Sequence, residues 1–343
     1  MANLRWLLAP FSWLYGLGVY VRHSLYDEHI LPSFSVSVPT IGIGNLAVGG
    51  TGKTPHTEWL VSQLMTHYRV AVLSRGYGRK THGFLLADEH ANAQTIGDEP
   101  MQIHRKFPDV PVAVCENRVR GVKLLMRQVP DIEVVILDDA LQHRGLRCGM
   151  YILLTAADNL YITDHLLPWG RLRDLQHRSL AAQAVIITKC PESMRPIDKR
   201  VIDNRLHLPT YQKLYFSHTV FPKIEVAATK PLAISGIAWP DDFFDQVRRQ
   251  FPKAECMAYR DHHRFTRRDQ QTILAAAAKH DCVLTTEKDY ERLLLTDIPA
   301  QLGDKLQVIP IAVDLRTDAP NLLRQVTYYI DETLRHNKNT NKQ

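Results

Sequence analysis

A chain of 343 residues, 45% hydrophobic and 23% charged, is long enough for one large or two unequal domains and can bury a core without disulfides or a structural metal. Its cysteines (115, 148, 190, 256 and 282) form no CxxC pair and are odd in number, which points to a reducing compartment and treats each as a small apolar residue. The net charge of +6 suits an anionic partner, whether a nucleotide, a nucleic acid or the lipid head groups of an anionic membrane surface, and does not choose among them. Basic residues are dispersed, with neither an RNA-binding aromatic signature nor zinc-finger spacing, so no nucleic-acid partner is expected.

The first element, residues 1–33, is apolar and aromatic. Between Arg5 and Arg22 the chain carries no charge, and Trp6, Phe11, Trp13, Tyr15 and Tyr20 fall inside that stretch. The run is short for a spanning helix of roughly 20 apolar residues, and Pro10, Gly16 and Gly18 interrupt it. A cleaved signal peptide is also a poor fit, since its basic start is the single Arg5 and no small-x-small cleavage site follows cleanly. Aromatics mixed with aliphatics suit the water–lipid boundary, so a membrane-associated, interface-dipping helix is the preferred reading. A helix packed on the protein's own surface and a true span are the alternatives.

Next, VPTIGI at 38–43 reads as a buried strand, GGTGKT at 49–54 as a glycine-rich turn, and the segment from Pro55 as a helix. That order is the context a phosphate-binding loop requires. Gly49, Gly50, Thr51 and Gly52 let backbone N–H groups crowd a phosphate, Lys53 reaches the β- and γ-phosphates, and Thr54 offers its hydroxyl to Mg²⁺. The standard spacing asks for glycine at 47, where this chain has Ala47.

Further strands are expected at 69–75, 110–114, 132–139, 150–155 and 184–189, with helical patterns between several of them. Alternation of this kind predicts a parallel sheet flanked by helices, with sites at the strands' carboxyl ends. The run IEVVILDD ends in Asp138 and Asp139, the pattern of a Walker B element that brings a carboxylate to Mg²⁺. Adjacent strand residues face opposite ways, and the sequence does not say which aspartate meets the metal.

From about 231 a second α/β pattern begins: strand and turn in PLAISGIAWP, helices over DDFFDQVRRQF and TRRDQQTILAAAAKH, and strands in CVLTTEKDY and LQVIPIAVDL. TTEKD at 285–289 reads either as a cleft-lining segment or as a helix cap. The expected organisation is a membrane-interface helix over 1–33, a P-loop core over 34–220, a smaller α/β domain over 221–330 after a hinge near 215–230, and a disordered tail over 331–343.

The loops SRGYGRK (74–80), GDEP (97–100), ENR (116–118), LDDALQHR (137–144), LPWGRLRD (167–174) and YRDHHRF (259–265), together with VGGTGKTP, resemble the tetraacyldisaccharide 4'-kinase family of lipid A synthesis, in order and over most of the chain. The resemblance implies a P-loop kinase that moves the γ-phosphate of ATP to the 4'-hydroxyl of a lipid A disaccharide precursor. It also implies a peripheral or monotopic place on the cytoplasmic face of the bacterial inner membrane; no obligate protein partner is inferred from the sequence.

By that likeness Lys53 and Thr54 serve ATP and Mg²⁺, with Asp138 as a further metal ligand; Asp138 and Asp139 are the Walker B pair, and Asp98 takes the hydroxyl proton. A histidine of the DHH motif partners Asp98, with His262 favoured over His263. Arg75, Arg118, His143 and Arg173 are candidate substrate contacts. Asp98 is expected on the first domain and His262 on the second, with closure completing the site. GDEP also reads as a helix N-terminus with acids in its first turn. The chain departs from the family at Ala140, Leu141, Arg171, Asp174 and Leu175. The competing readings are a P-loop switch protein that hydrolyses nucleotide to drive partner binding, and a peripheral membrane scaffold with a vestigial site.

Overall fold

The computed structural model describes residues 4–340. The chain divides into two compact units: unit 1 is Met1–Arg75, Cys115–Thr219 and Val313–Gln343, and unit 2 is Gly76–Val114 and Val220–Ala312. This differs from the single boundary near 220 expected from sequence. Residues 76–114 belong with the second α/β pattern, and the C-terminal segment returns to the first.

In chain order, α1 (Ala9–Asp27) precedes β1 (Thr40–Asn45), α2 (Lys53–Leu64) and β2 (Val70–Ser74). Then come β3 (Leu85–Leu86), α3 (Asp98–Lys106), β4 (Val112–Val114), α4 (Arg118–Gln128) and β5 (Val134–Asp138). Next are β6 (Met150–Ala156), β7 (Ala184–Thr188), α5 (Pro196–Leu206), β8 (Lys213–Phe216), β9 (His218–Val220), β10 (Leu232–Ser235) and α6 (Asp241–Gln250). The last are β11 (Glu255–Ala258), α7 (Arg267–Ala277), β12 (Val283–Thr286), α8 (Glu287–Leu293), α9 (Ile298–Leu302), β13 (Leu306–Ile309), β14 (Ala312–Asp314) and α10 (Ala319–Thr340).

In unit 1 six strands run in the order β2-β5-β1-β6-β7-β8, every neighbouring pair parallel. The sequences VVILD and AVIIT are buried at every position, as strands covered on both faces must be. Register sets Ile43 of β1 beside Asp138 of β5, so the carboxyl end of β5 lies next to the turn that follows β1. The order reverses at β1, which places a ligand crevice at those carboxyl ends.

Helix α1 inverts the usual amphipathic arrangement. Its buried residues are Ser12, Gly16 and His23, while Trp6 just before it and Phe11, Trp13, Leu14, Leu17 and Tyr20 along it are exposed, Trp13 by 77%. The inward face docks by hydrogen bonds. Ser12 Oγ donates to Leu166 O at 2.9 Å and accepts from Trp169 N at 2.9 Å. A Cβ at Gly16 would meet Leu166 Cδ1 at 2.7 Å, so a larger residue there requires the Leu166 side chain to shift. Further along, Tyr15 OH donates to Arg173 O at 2.8 Å, and His23 Nε2 lies 2.5 Å from Asp174 Oδ1. No helix among the described residues is long and apolar enough to cross a membrane.

The expected disordered tail is a correction. Helix α10 continues to Thr340, buries Leu322, Val326 and Ile330 at four-residue spacing, and is tied to the start of β1 by Tyr329, whose hydroxyl accepts from Thr40 N at 3.0 Å. Residues 341–343 lie outside the described residues.

In unit 2 a parallel sheet runs β11-β10-β12-β13, and β3 pairs antiparallel with β4. Phe243, Phe244 and Val247 of α6 close one face of the sheet; Ile273 and Ala277 of α7 close the other.

Candidate active site

β1 ends at Asn45 and the chain turns through 46–52 into α2. Gly49 and Gly52 have φ of 109° and 83°, a region open to glycine at little cost. Ala47 is accommodated for the opposite reason. It forms a bridge with Leu172, and Val48 N donates to Arg171 O while Arg173 N donates to Leu46 O, each at 2.8 Å. The start of the loop is therefore extended, and an L-residue fits where the standard motif has glycine.

Around the loop the polar side chains form one network. Asn45 Nδ2 donates to Thr51 Oγ1 at 2.7 Å, and Asn45 Oδ1 accepts from Arg173 Nη2 at 2.6 Å. Lys53 Nζ lies 3.5 Å from Asn45 Oδ1 and 3.7 Å from Asp139 Oδ1. Arg173 grips Asp139 through both terminal nitrogens, with Nη1 at 2.9 Å from Oδ2. Burial alone would raise the Asp139 carboxyl. The Lys53 charge and the Arg173 hydrogen bond outweigh it and hold the group well below the usual carboxylate range.

Asp138 takes a separate environment: it is buried, and its Oδ2 accepts from Ser74 Oγ at 3.3 Å. Asp139 reaches Lys53 by leaving the strand, with φ of 52°. A non-glycine residue in this region marks stored strain, which collects at functional sites.

The four candidate substrate residues divide by environment. Arg75 is exposed at the end of its segment. Arg118 is 3% exposed and braces the backbone, donating to Cys115 O at 2.6 Å and Asp138 O at 3.1 Å; burial lowers its guanidinium to about 10. Arg173 is engaged by Asp139 and Asn45. His143 lines a cavity of about 600 Å³ with Arg22, Tyr26, Arg120, Lys123 and Arg127; burial and the Arg118 charge lower it to about 4, so it is neutral at pH 7.

In unit 2, α3 starts at Asp98, after Gly97 at φ 97°. Asp98 is thus inside the first turn and not the N-cap; its Oδ1 accepts from Glu99 N at 3.0 Å, while Oδ2 faces His262 Nδ1 at 2.9 Å and Arg292 Nε at 3.6 Å. Burial would raise this carboxyl, but the His262 hydrogen bond and the Lys288 and Arg292 charges prevail and lower it to about 2. His263 instead pairs with Asp269 at 3.0 Å, in the capping box of α7. Asp98 and His262 share one unit, so the expectation that they reside on different domains is corrected: α3 packs against α8 of the second α/β pattern.

Sequence reasoning passed over Asn45, Arg292 and Lys288. Asn45 is a polar residue ending an apolar strand directly before the loop, a signal that was present. Lys288 lay within TTEKD, whose cap reading also holds: Thr286 Oγ1 accepts from Asp289 N at 3.2 Å.

A parallel α/β sheet whose first strand leads through GGTGKT into a helix, with an aspartate-ended strand alongside, defines a protein of the P-loop class. The model of the family described as tetraacyldisaccharide-1-P 4'-kinase matches residues 4–330, and the chain belongs to that family. Tetraacyldisaccharide 4'-kinases of Bacteroides thetaiotaomicron and Flavobacterium johnsoniae are each 41% identical to it, over 97% of this chain and 94% and 99% of theirs. The crystal structure of LpxK from Aquifex aeolicus in complex with ATP superposes with a TM-score of 0.73 at 27% identity, covering 96% of this chain and 99% of that one.

Proposed function

We propose that this chain transfers the γ-phosphate of ATP to the 4'-hydroxyl of a tetraacyldisaccharide 1-phosphate, giving the bis-phosphorylated lipid A precursor. The observation that carries this reading is the strand–GGTGKT–helix loop with Lys53 poised between Asn45 and a Walker B aspartate, in a chain of this family. Backbone N–H groups of Gly49–Gly52 and the start of α2 cradle the phosphates, and Lys53 exchanges its contacts with Asn45 and Asp139 for phosphate oxygens.

Thr54 and Asp138 offer two hard oxygen donors, which suits Mg²⁺ completed by phosphate and water more than a cage built from protein alone. When bound, the ion neutralises charge on the phosphates. Asp98, held by His262, accepts the hydroxyl proton. The exposed Arg75 and the cationic cavity beside His143 suit a phosphorylated sugar. A P-loop switch needs no such aspartate–histidine pair.

The outward apolar face of α1 supports docking into the membrane interface, with its polar face retained on the protein, on the cytoplasmic side of the inner membrane where ATP is available. The test is transfer of labelled γ-phosphate to the lipid in detergent with Mg²⁺, against a no-lipid control. Labelled lipid that disappears in Lys53→Ala supports the kinase; free phosphate without labelled lipid supports the switch.

A further inference from the structure

Beside the Asp98–His262 pair lies a third group that neither the motif nor the fold assigns. Lys288 Nζ is 3.0 Å from Glu99 Oε1, 3.3 Å from Asp261 Oδ1 and 3.4 Å from His262 Nε2. An ammonium carries three donors and no acceptor, so these three contacts use all of them. Its side chain is 15% exposed. The neighbouring carboxylates of Glu99, Asp98 and Asp261 prevail over burial and raise its pKa, so it stays protonated.

Because Lys288 can only donate, His262 Nε2 must be the acceptor. The ring's proton is then on Nδ1 and is donated to Asp98 Oδ2, 2.9 Å away. An imidazolium would turn an Nε2–H toward the ammonium, with Asp261 Oδ2 3.8 Å away. The other groups facing the pair are the Tyr77 ring, 5.0 Å from the His262 ring, and Arg292 on the Asp98 side.

We propose that Lys288 is a positioning residue that locks His262 as the neutral Nδ1–H tautomer and thereby reserves the base role for Asp98. This rests on the kinase reading. The ring nitrogen that serves as base in a Ser–His–Asp triad is occupied here by the lysine. In the transfer step the 4'-hydroxyl proton goes to the Asp98 carboxylate, the 4'-oxygen bonds to the γ-phosphorus, and the bridging P–O bond breaks with its electron pair leaving on ADP. His262 keeps its Nδ1 proton throughout.

The experiment combines ¹⁵N-histidine NMR on the full chain, the His262 signals assigned by loss in His262→Gln, with pH profiles of transfer for wild type, Lys288→Met and Lys288→Gln. Wild type should show a protonated Nδ1 and a bare Nε2 near pH 7. In Lys288→Met the Nδ1–H tautomer should lose its dominance to a mixture with Nε2–H, and the pH profile of kcat should change while KM for ATP changes less than about twofold. Lys288→Gln, which retains a neutral donor, should keep the tautomer and most of the wild-type profile. A wild-type ring protonated on Nε2 overturns the proposal whether or not the variants fold. So does a Lys288→Met enzyme with unchanged tautomer and pH profile. If wild type instead fails to phosphorylate the lipid, the kinase reading falls while the NMR result still decides the tautomer.

Discussion

Asp174→Ala should loosen helix α1 from the protein at a cost large enough to measure by equilibrium unfolding. Asp174 and His23 are each 1% exposed. Asp174 Oδ1 accepts from His23 Nε2 at 2.5 Å and from Leu175 N at 2.8 Å, and Arg144 Nη1 faces His23 Nδ1 at 3.2 Å. Arg144 can only donate, so His23 accepts on Nδ1 and donates from Nε2 to the carboxylate. Removing Asp174 leaves the buried His23 Nε2–H and the part-buried Leu175 N–H without their acceptor, at about 1–3 kcal/mol for the first and less for the second, so a total near 3 kcal/mol is expected. Asp174→Asn is the control. It keeps the accepting Oδ1 and places an amide where Oδ2 now has no hydrogen-bond partner, so its loss should be nearer 1 kcal/mol. Urea unfolding followed by circular dichroism gives both values, and limited proteolysis between α1 and β1 reports whether the helix has come away. An alanine variant within about 0.5 kcal/mol of wild type, or an asparagine variant as damaged as the alanine one, would refute the reasoning.

Three further outcomes follow from the geometry. His56 is buried, its ring contacting Gly52 O at 2.6 Å and Ser217 Oγ at 2.8 Å, and burial lowers it to about 4. The unfolded chain binds this proton first as pH falls from about 6.5 to 4, so wild type should lose ~3 kcal/mol across that window; subtracting the His56→Gln unfolding curve isolates the effect, and parallel curves would contradict it. Arg173→Met frees Asp139 and Asn45 from their shared partner and should weaken ATP binding about tenfold by titration calorimetry, since a charge-assisted bond contributes about 1.5–3 kcal/mol. Replacing Phe11, Trp13, Leu14 and Leu17 together by serine should cut partition onto lipid vesicles on the order of a thousandfold in flotation, at about 1 kcal/mol per side chain, while activity on detergent-dispersed lipid persists; unchanged flotation would rule out the α1 face as the membrane contact.

The strands of unit 1 were legible because buried parallel strands are continuous Val, Ile and Leu runs bounded by turn residues: VAVLS, VVILD and AVIIT appear within the segments read for them. β8 and β11, with the more polar KLYF and ECMA, carry no such signal and were missed. Local pattern placed GGTGKT and the acids of GDEP at helix starts. It could not place α3 against α8, which lies more than 180 residues later, because only tertiary packing decides that. The pairing of His262 with Asp98, and of His23 with Asp174, is likewise a matter of three-dimensional approach across more than 150 residues of sequence. Lys288 was visible as a residue, but its role depends on three acceptors drawn from α3, the DHH loop and the histidine ring. α1 shows the same limit from another side. Its apolar composition was plain, yet its orientation rests on the short polar contacts of Ser12 and His23.

The measurement that tests the central claim most directly is ³¹P NMR of the lipid after incubation of the full chain with ATP, Mg²⁺ and tetraacyldisaccharide 1-phosphate in detergent. A second phosphate monoester coupled to the proton at the 4' carbon, formed by wild type and absent with Lys53→Ala, is the predicted result. A pyrophosphate at the 1 position, or no new lipid phosphorus while ATP is consumed, would contradict it.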